Sequence, residues 1–115
     1  MFWKLKADAR AKIDRIRVRA RIRLFTEQEG GRTRPIVGGL SYRPNHNFFL
    51  ETGEMCMGFI ELPAGQDLAP GDSIEIALDL WVWPALRPLI HPGRAWQIQE
   101  GAKVVGSGDI LEVLA

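Results

Sequence analysis

Cysteine is almost absent, and the one thiol, Cys56, has no second cysteine to pair with inside the chain, which excludes a disulfide-stapled scaffold. Flanked by Met55 and Met57, Cys56 reads as a small buried hydrophobe. Histidine is scarce too. His46 and His91 lie 10 and 35 residues from the cysteine, a spacing that matches no zinc-ligand pattern, so no metal is predicted. No run approaches the ~18 consecutive apolar residues of a spanning helix, so no membrane span is predicted. The opening MFWKLKADARAKID is interrupted by Lys4, Lys6, Asp8 and Arg10 where an export signal needs apolar residues. A cytoplasmic protein is the expectation.

Catalytic signatures are equally thin. There is no G-x-S-x-G elbow, and neither histidine accompanies a nucleophile motif. Both sit beside turn residues, Asn45 and Asn47 for His46 and Pro92 for His91, where a structural hydrogen bond is the expected role. Neither glycine-rich phosphate motif, G-x-x-x-x-G-K-[ST] or G-x-G-x-x-G, occurs, so no nucleotide is predicted. The carboxylates of Glu27, Glu29, Glu51, Glu54 and Glu61 show no spacing that brings two together for acid–base work. The reading is a non-enzyme without a cofactor.

What is present is a foldable chain. Its 115 residues suit one domain, and 46% hydrophobic with 25% charged residues is a globular rather than a disordered composition. Residues 15–24 alternate strictly, Arg-Ile-Arg-Val-Arg-Ala-Arg-Ile-Arg-Leu, the period-two signature of a strand with one buried face. Upstream the apolar residues fall on odd numbers, so the phase flips near Asp14, and residues 1–14 are set apart as a basic arm, extended or helical. Turn clusters at Glu29–Arg32, Pro63–Gly65, Pro70–Asp72, Pro92–Gly93 and Glu100–Gly101 divide the rest. Strands are predicted at about 15–25, 46–51, 56–62, 73–83, 94–99 and 102–113. Six short strands with frequent turns suggest an antiparallel barrel or sandwich, and the barrel is preferred because closure leaves no exposed edge. The glycines of Val105-Gly106-Ser107-Gly108 lie within a strand pattern and are expected to allow a bend or close packing.

Charge is unevenly distributed. Residues 1–25 carry nine Lys or Arg against two Asp, whereas residues 26–115 carry six basic against twelve acidic residues. Arg15, Arg17, Arg19, Arg21 and Arg23 all fall on the outer face of the first strand. They suit either phosphates or the acids of a neighbouring strand. In the strand at 73–83, Ile74, Ile76, Leu78, Leu80 and Val82 share one face, while Trp81 and Trp83 fall with Ser73, Glu75 and Asp79 on the other. Two large rings on a polar face mark a partner-binding surface unless Phe2 and Trp3 fold back over them. Phe2, Trp3 and Leu5 with their basic neighbours could also meet a membrane surface, but they form no clean apolar helical face.

Five motifs in order carry a family resemblance: Glu29-Gly30-Gly31-Arg32, Tyr42-Arg43-Pro44, Gly58-Phe59-Ile60-Glu61-Leu62-Pro63, Pro70-Gly71-Asp72, and a closing stretch from Gly93 to Leu114 that turns at Glu100-Gly101. From about Arg17 onward the chain resembles the third, C-terminal β-barrel domain of elongation factor Tu. The resemblance implies a six-stranded antiparallel barrel over residues 15–115. It also implies barrel faces that meet neighbouring domains, and tRNA contacts at Glu100, Gly101 and, less directly, Thr52. The sequence departs from the family in a longer stretch between Asn45 and Met57 and in a closing turn that reads Gly101-Ala102-Lys103. These 115 residues include no GTPase domain. The expected function is therefore a non-catalytic interaction module whose partner, protein or a second copy, meets Trp81 and Trp83. The alternative is a translation-related RNA-binding module using Arg15 to Arg23 with Glu100 and Gly101.

Overall fold

A computed structural model describes residues 12–114; the expectations for Phe2, Trp3, Leu5 and the rest of the arm up to residue 11 lie outside them. The described chain is all-β: β1 (Asp14–Leu24), β2 (Ser41–Tyr42), β3 (Asn45–Asn47), β4 (Cys56–Glu61), β5 (Ser73–Val82), β6 (Ala95–Glu100) and β7 (Lys103–Val113), with one 3-10 turn at Arg87–Leu89. Six strands close into an antiparallel barrel in the order β1, β5, β4, β3, β6, β7 and back to β1. β2 lies outside the ring and pairs with β4 alone.

Alternation places the core. Ile16, Val18, Ala20, Ile22 and Leu24 of β1 are all buried, and they meet Leu78, Leu80 and Val82 of β5 with Ile60, Ile98, Val105 and Ile110. The long β1–β5 register, Asp14 opposite Val82 through Arg23 opposite Ser73, follows from this, because a one-residue slip would turn both apolar rows outward. Register shifts at Arg19/Ala20 and at Ile98/Gln99 are the local bends that let a six-stranded sheet close.

Five of the expected strands appear within a residue or two of their predicted bounds. The strand expected at 46–51 is the exception: β3 ends at Asn47, and residues 48–55 form a loop. Asn47 is the reason, since its Oδ1 accepts the Phe49 N–H at 2.8 Å and turns the chain, a competition typical of asparagine. Phe49 then sits at φ 62°, a left-handed conformation rare for a bulky residue.

A polar chain in the barrel interior links strands β6, β3 and β4. The indole N–H of Trp96 donates to His46 Nδ1 at 2.9 Å, and His46 Nε2 bonds the Gly58 carbonyl at 3.1 Å. Both side chains are essentially without solvent contact, and no buried side-chain polar atom among the described residues lacks a partner. Phe48 stacks on Trp96 with centroids 5.2 Å apart. Gly108 is there for space, because a Cβ at that position would lie 2.5 Å from the Trp96 ring. The close-packing role expected of the β7 glycines is what the structure uses.

The strand directions define two barrel ends. One gathers the β6–β7 turn with the segments that follow β1 and β4. The other gathers the 48–55 loop, the 83–94 segment and the start of β1.

Candidate interaction surface

Trp81 lies on the outer face of β5, half-buried, with Met57 of β4 opposite it on one side and Arg15 of β1 on the other. Phe59, two residues along β4, meets the Trp81 ring edge-on at 5.2 Å and 75°. Arg43, at the break between β2 and β3, reaches across so that its guanidinium lies 5.8 Å from the Phe59 centroid. The result is a strip running Arg43, Phe59, Trp81, Arg15, with Met57 47% exposed beside it. Neither Arg43 nor Arg15 forms a salt bridge among the described residues.

The exposure expected of Trp83 is not what the structure shows. The residue is only 5% exposed and belongs to the core, because β5 ends at Val82 and the chain turns there. The Trp83 carbonyl accepts from the N–H groups of Leu86 and Arg87, so the chain leaves the strand at this point, and Val82 and Trp83 are consecutive buried residues where strict alternation would expose one of them. One edge of Trp83 still lines an apolar hollow of about 180 Å³ with Ile13, Met55, Cys56, Met57 and Trp81. Burial pushes the Cys56 thiol up to about 12, which keeps it protonated and unreactive.

The arginine stripe is charge-compensated within the chain. Arg17 pairs with Asp79 at 3.3 Å, Arg19 with Glu75 and Glu112 at 3.4 and 3.2 Å, Arg21 with Glu75 at 2.9 Å, and Arg23 with Glu29 at 2.6 Å. Exposed pairs of this kind add little to stability; their effect is to neutralise the outer face of β1 with acids of β5, β7 and the segment that follows β1. Glu29 is held well below the usual carboxylate range, at about 2, by the Thr26 backbone N–H and by Arg23. Of the five predicted arginines, Arg15 alone keeps its charge uncompensated among the described residues.

Glu100 also serves the fold. Its Oε2 accepts from both Arg32 and the Tyr42 hydroxyl, tying the loop after β1 and strand β2 to the closing hairpin. Burial and the Glu100 carboxylate push the Tyr42 phenol above its ordinary value. Gly101 sits exposed at the turn with φ 60°. Beside it, Arg32, Thr33, Arg34, Glu100 and Lys103 line an open cleft of about 210 Å³, in which Arg34 and Lys103 have no carboxylate partner among the described residues. Thr52 lies at the tip of the 48–55 loop, at the other end of the barrel.

Sequence reasoning missed Phe59, Met57 and Arg43. The signal was available: Met57 and Phe59 occupy the outward phase of β4 directly beside β5. Among the described residues, no group of three or more His, Cys, Asp or Glu is placed to hold a metal ion, and no helix is long and apolar enough to cross a membrane. A scan against protein-family models finds none that matches the chain.

Proposed function

We propose that this barrel is a non-catalytic interaction module that engages a protein partner through the outer face of β4 and β5, centred on Trp81. The observation that carries the reading is the composition of that strip. Tryptophan, phenylalanine, methionine and arginine are the residues enriched at protein interfaces, and here they adjoin, with neither arginine paired to an acid among the described residues. The resemblance to the third domain of elongation factor Tu, whose barrel meets other domains, points the same way. A photoreactive benzoylphenylalanine at Met57 should form protein adducts in cells at a yield that Trp81→Ala lowers severalfold. The same probe at Glu112, on β7, should give none. Equal yields with and without Trp81 would defeat the reading.

The cleft beside the closing hairpin favours a second reading, a polyanion such as tRNA held by Arg34 and Lys103 with Gly101 at the turn. Arg32 and Glu100 neutralise each other there, so the cleft keeps a net positive charge. Fluorescence anisotropy with labelled total tRNA should show affinity that falls with salt, with the salt slope reduced by about 1 for each of Arg34→Gln and Lys103→Gln. Absence of binding at low salt by folded protein would remove this reading.

A further inference from the structure

The partner of the Trp81 face can be narrowed, on the basis of the protein-interaction reading above. We infer that it is a second copy of this chain: Phe49 of one copy seats in the hollow beside Trp81 of the other, its neighbour Glu51 meets Arg15, and a two-fold axis repeats both contacts.

The surface carries an exposed knob and an apolar hollow. Phe49 is 56% exposed and held in the left-handed region at φ 62°, a conformation that costs a residue of this kind and persists where the surroundings impose it. Here they do. Asn47 Oδ1 accepts the Phe49 N–H, and the Arg94 guanidinium donates to the Phe48 carbonyl at 2.6 Å. Phe48 is drawn inward onto Trp96 while Phe49 is turned out into solvent. The hollow lined by Ile13, Met55, Met57, Trp81 and Trp83 measures about 180 Å³, and an apolar cavity of about 150 Å³ accepts benzene. One phenyl ring fits it.

Charge complementarity selects the occupant. The loop that carries Phe49 continues Leu50, Glu51, Thr52, Gly53, Glu54, an acidic segment with an apolar tip. Glu51 is exposed and in no ion pair among the described residues. Arg15, which lies opposite Trp81 in the β1–β5 register, supplies the opposite charge next to that wall of the hollow. Knob and hole share one end of the barrel, since the loop leads through Met55 straight into the hollow. A single two-fold axis between them therefore satisfies both copies at once, the self-complementary arrangement of an isologous dimer.

Sedimentation equilibrium of the untagged protein from micromolar to millimolar concentration should show the mass rising from 12.9 kDa toward twice that value. Phe49→Gly should return it to monomer while leaving the melting temperature unchanged or higher, because glycine accepts the positive φ without strain. Glu51→Arg and Arg15→Glu should each weaken association about tenfold or more, and an equimolar mixture of the two variants should recover the dimer. A wild-type chain that stays monomeric throughout, or a dimer that Phe49→Gly leaves intact, overturns the inference. If the wild type is monomeric yet the Met57 probe crosslinks to a different protein in a Trp81-dependent way, the dimer falls and the interaction module stands. If both experiments are silent, both fall.

Discussion

Replacing Trp96 with alanine should destabilise the barrel by about 3–5 kcal/mol, the usual cost of emptying a large aromatic site in a packed core. Two features place this residue at the upper end. The Phe48 ring stacks on it and Gly108 leaves its own side-chain space to it, so the void has no flexible neighbour to collapse into. The indole N–H is also what satisfies His46 Nδ1. Trp96→Phe separates these contributions: it keeps most of the ring but leaves a buried acceptor unpaired, at a cost of about 1–3 kcal/mol. Urea unfolding followed by far-ultraviolet circular dichroism should rank the chains wild type, Trp96→Phe, Trp96→Ala. A Trp96→Ala variant within about 1 kcal/mol of wild type would show that the Trp96–His46–Gly58 chain does not hold the barrel together.

Acid should destabilise the protein through His46. Burial lowers its folded-state value from 6.5 to about 4, against a smaller opposing effect of the Gly58 carbonyl. A second ring proton would face the Trp96 N–H, donor against donor. Since the unfolded chain protonates at the higher value, it binds the extra proton first as pH falls. The stability that comes from keeping His46 neutral is thus fully present above pH 6.5 and is lost progressively toward pH 4. A tenfold change in proton affinity is worth about 1.4 kcal/mol, so the drop from 6.5 to about 4 corresponds to a loss of about 3 kcal/mol, a large share of a typical ~5–15 kcal/mol. Glu29, whose value falls from 4.5 to about 2, contributes in the same direction but in a lower window, losing its share as pH falls from 4.5 to 2. Urea midpoints measured between about pH 4.5 and 6.5 therefore report His46. His46→Gln should be less stable at neutral pH and should flatten the dependence in that window. A steep dependence surviving in the variant would assign it elsewhere.

Trp81 and Trp83 show how far an alternation pattern carries. Both share a phase in the sequence, yet only Trp81 lies inside the strand. The turn after Val82 brings Trp83 into the core, and the hydrogen bonds that make that turn come from Leu86 and Arg87. Period-two reasoning fails wherever a strand stops, and the stop here depends on residues downstream. The arginine stripe shows the converse. Its outward phase is legible from residues 15–24 alone, but its electrostatic state is set by the β1–β5 and β1–β7 registers, which place Asp79, Glu75 and Glu112 within reach.

Strict alternation in β1 and regularly spaced turn residues were enough to specify the class of fold, because they leave few ways to bury one apolar face per strand. Local pattern was also enough for the burial of Cys56 and for the space-making role of the β7 glycines. The stop of β3 at Asn47 is itself a local asparagine turn; packing in three dimensions was needed to draw Phe48 inward and leave Phe49 outward, and to join Phe59, Trp81, Met57, Arg43 and Arg15 into one surface. It was needed as well for His46 to find Trp96 across fifty residues of chain. The physical reason is common to all of these. Local pattern says which face a side chain takes, whereas partners across a closed barrel are chosen by register, and register is the joint outcome of every strand's packing at once.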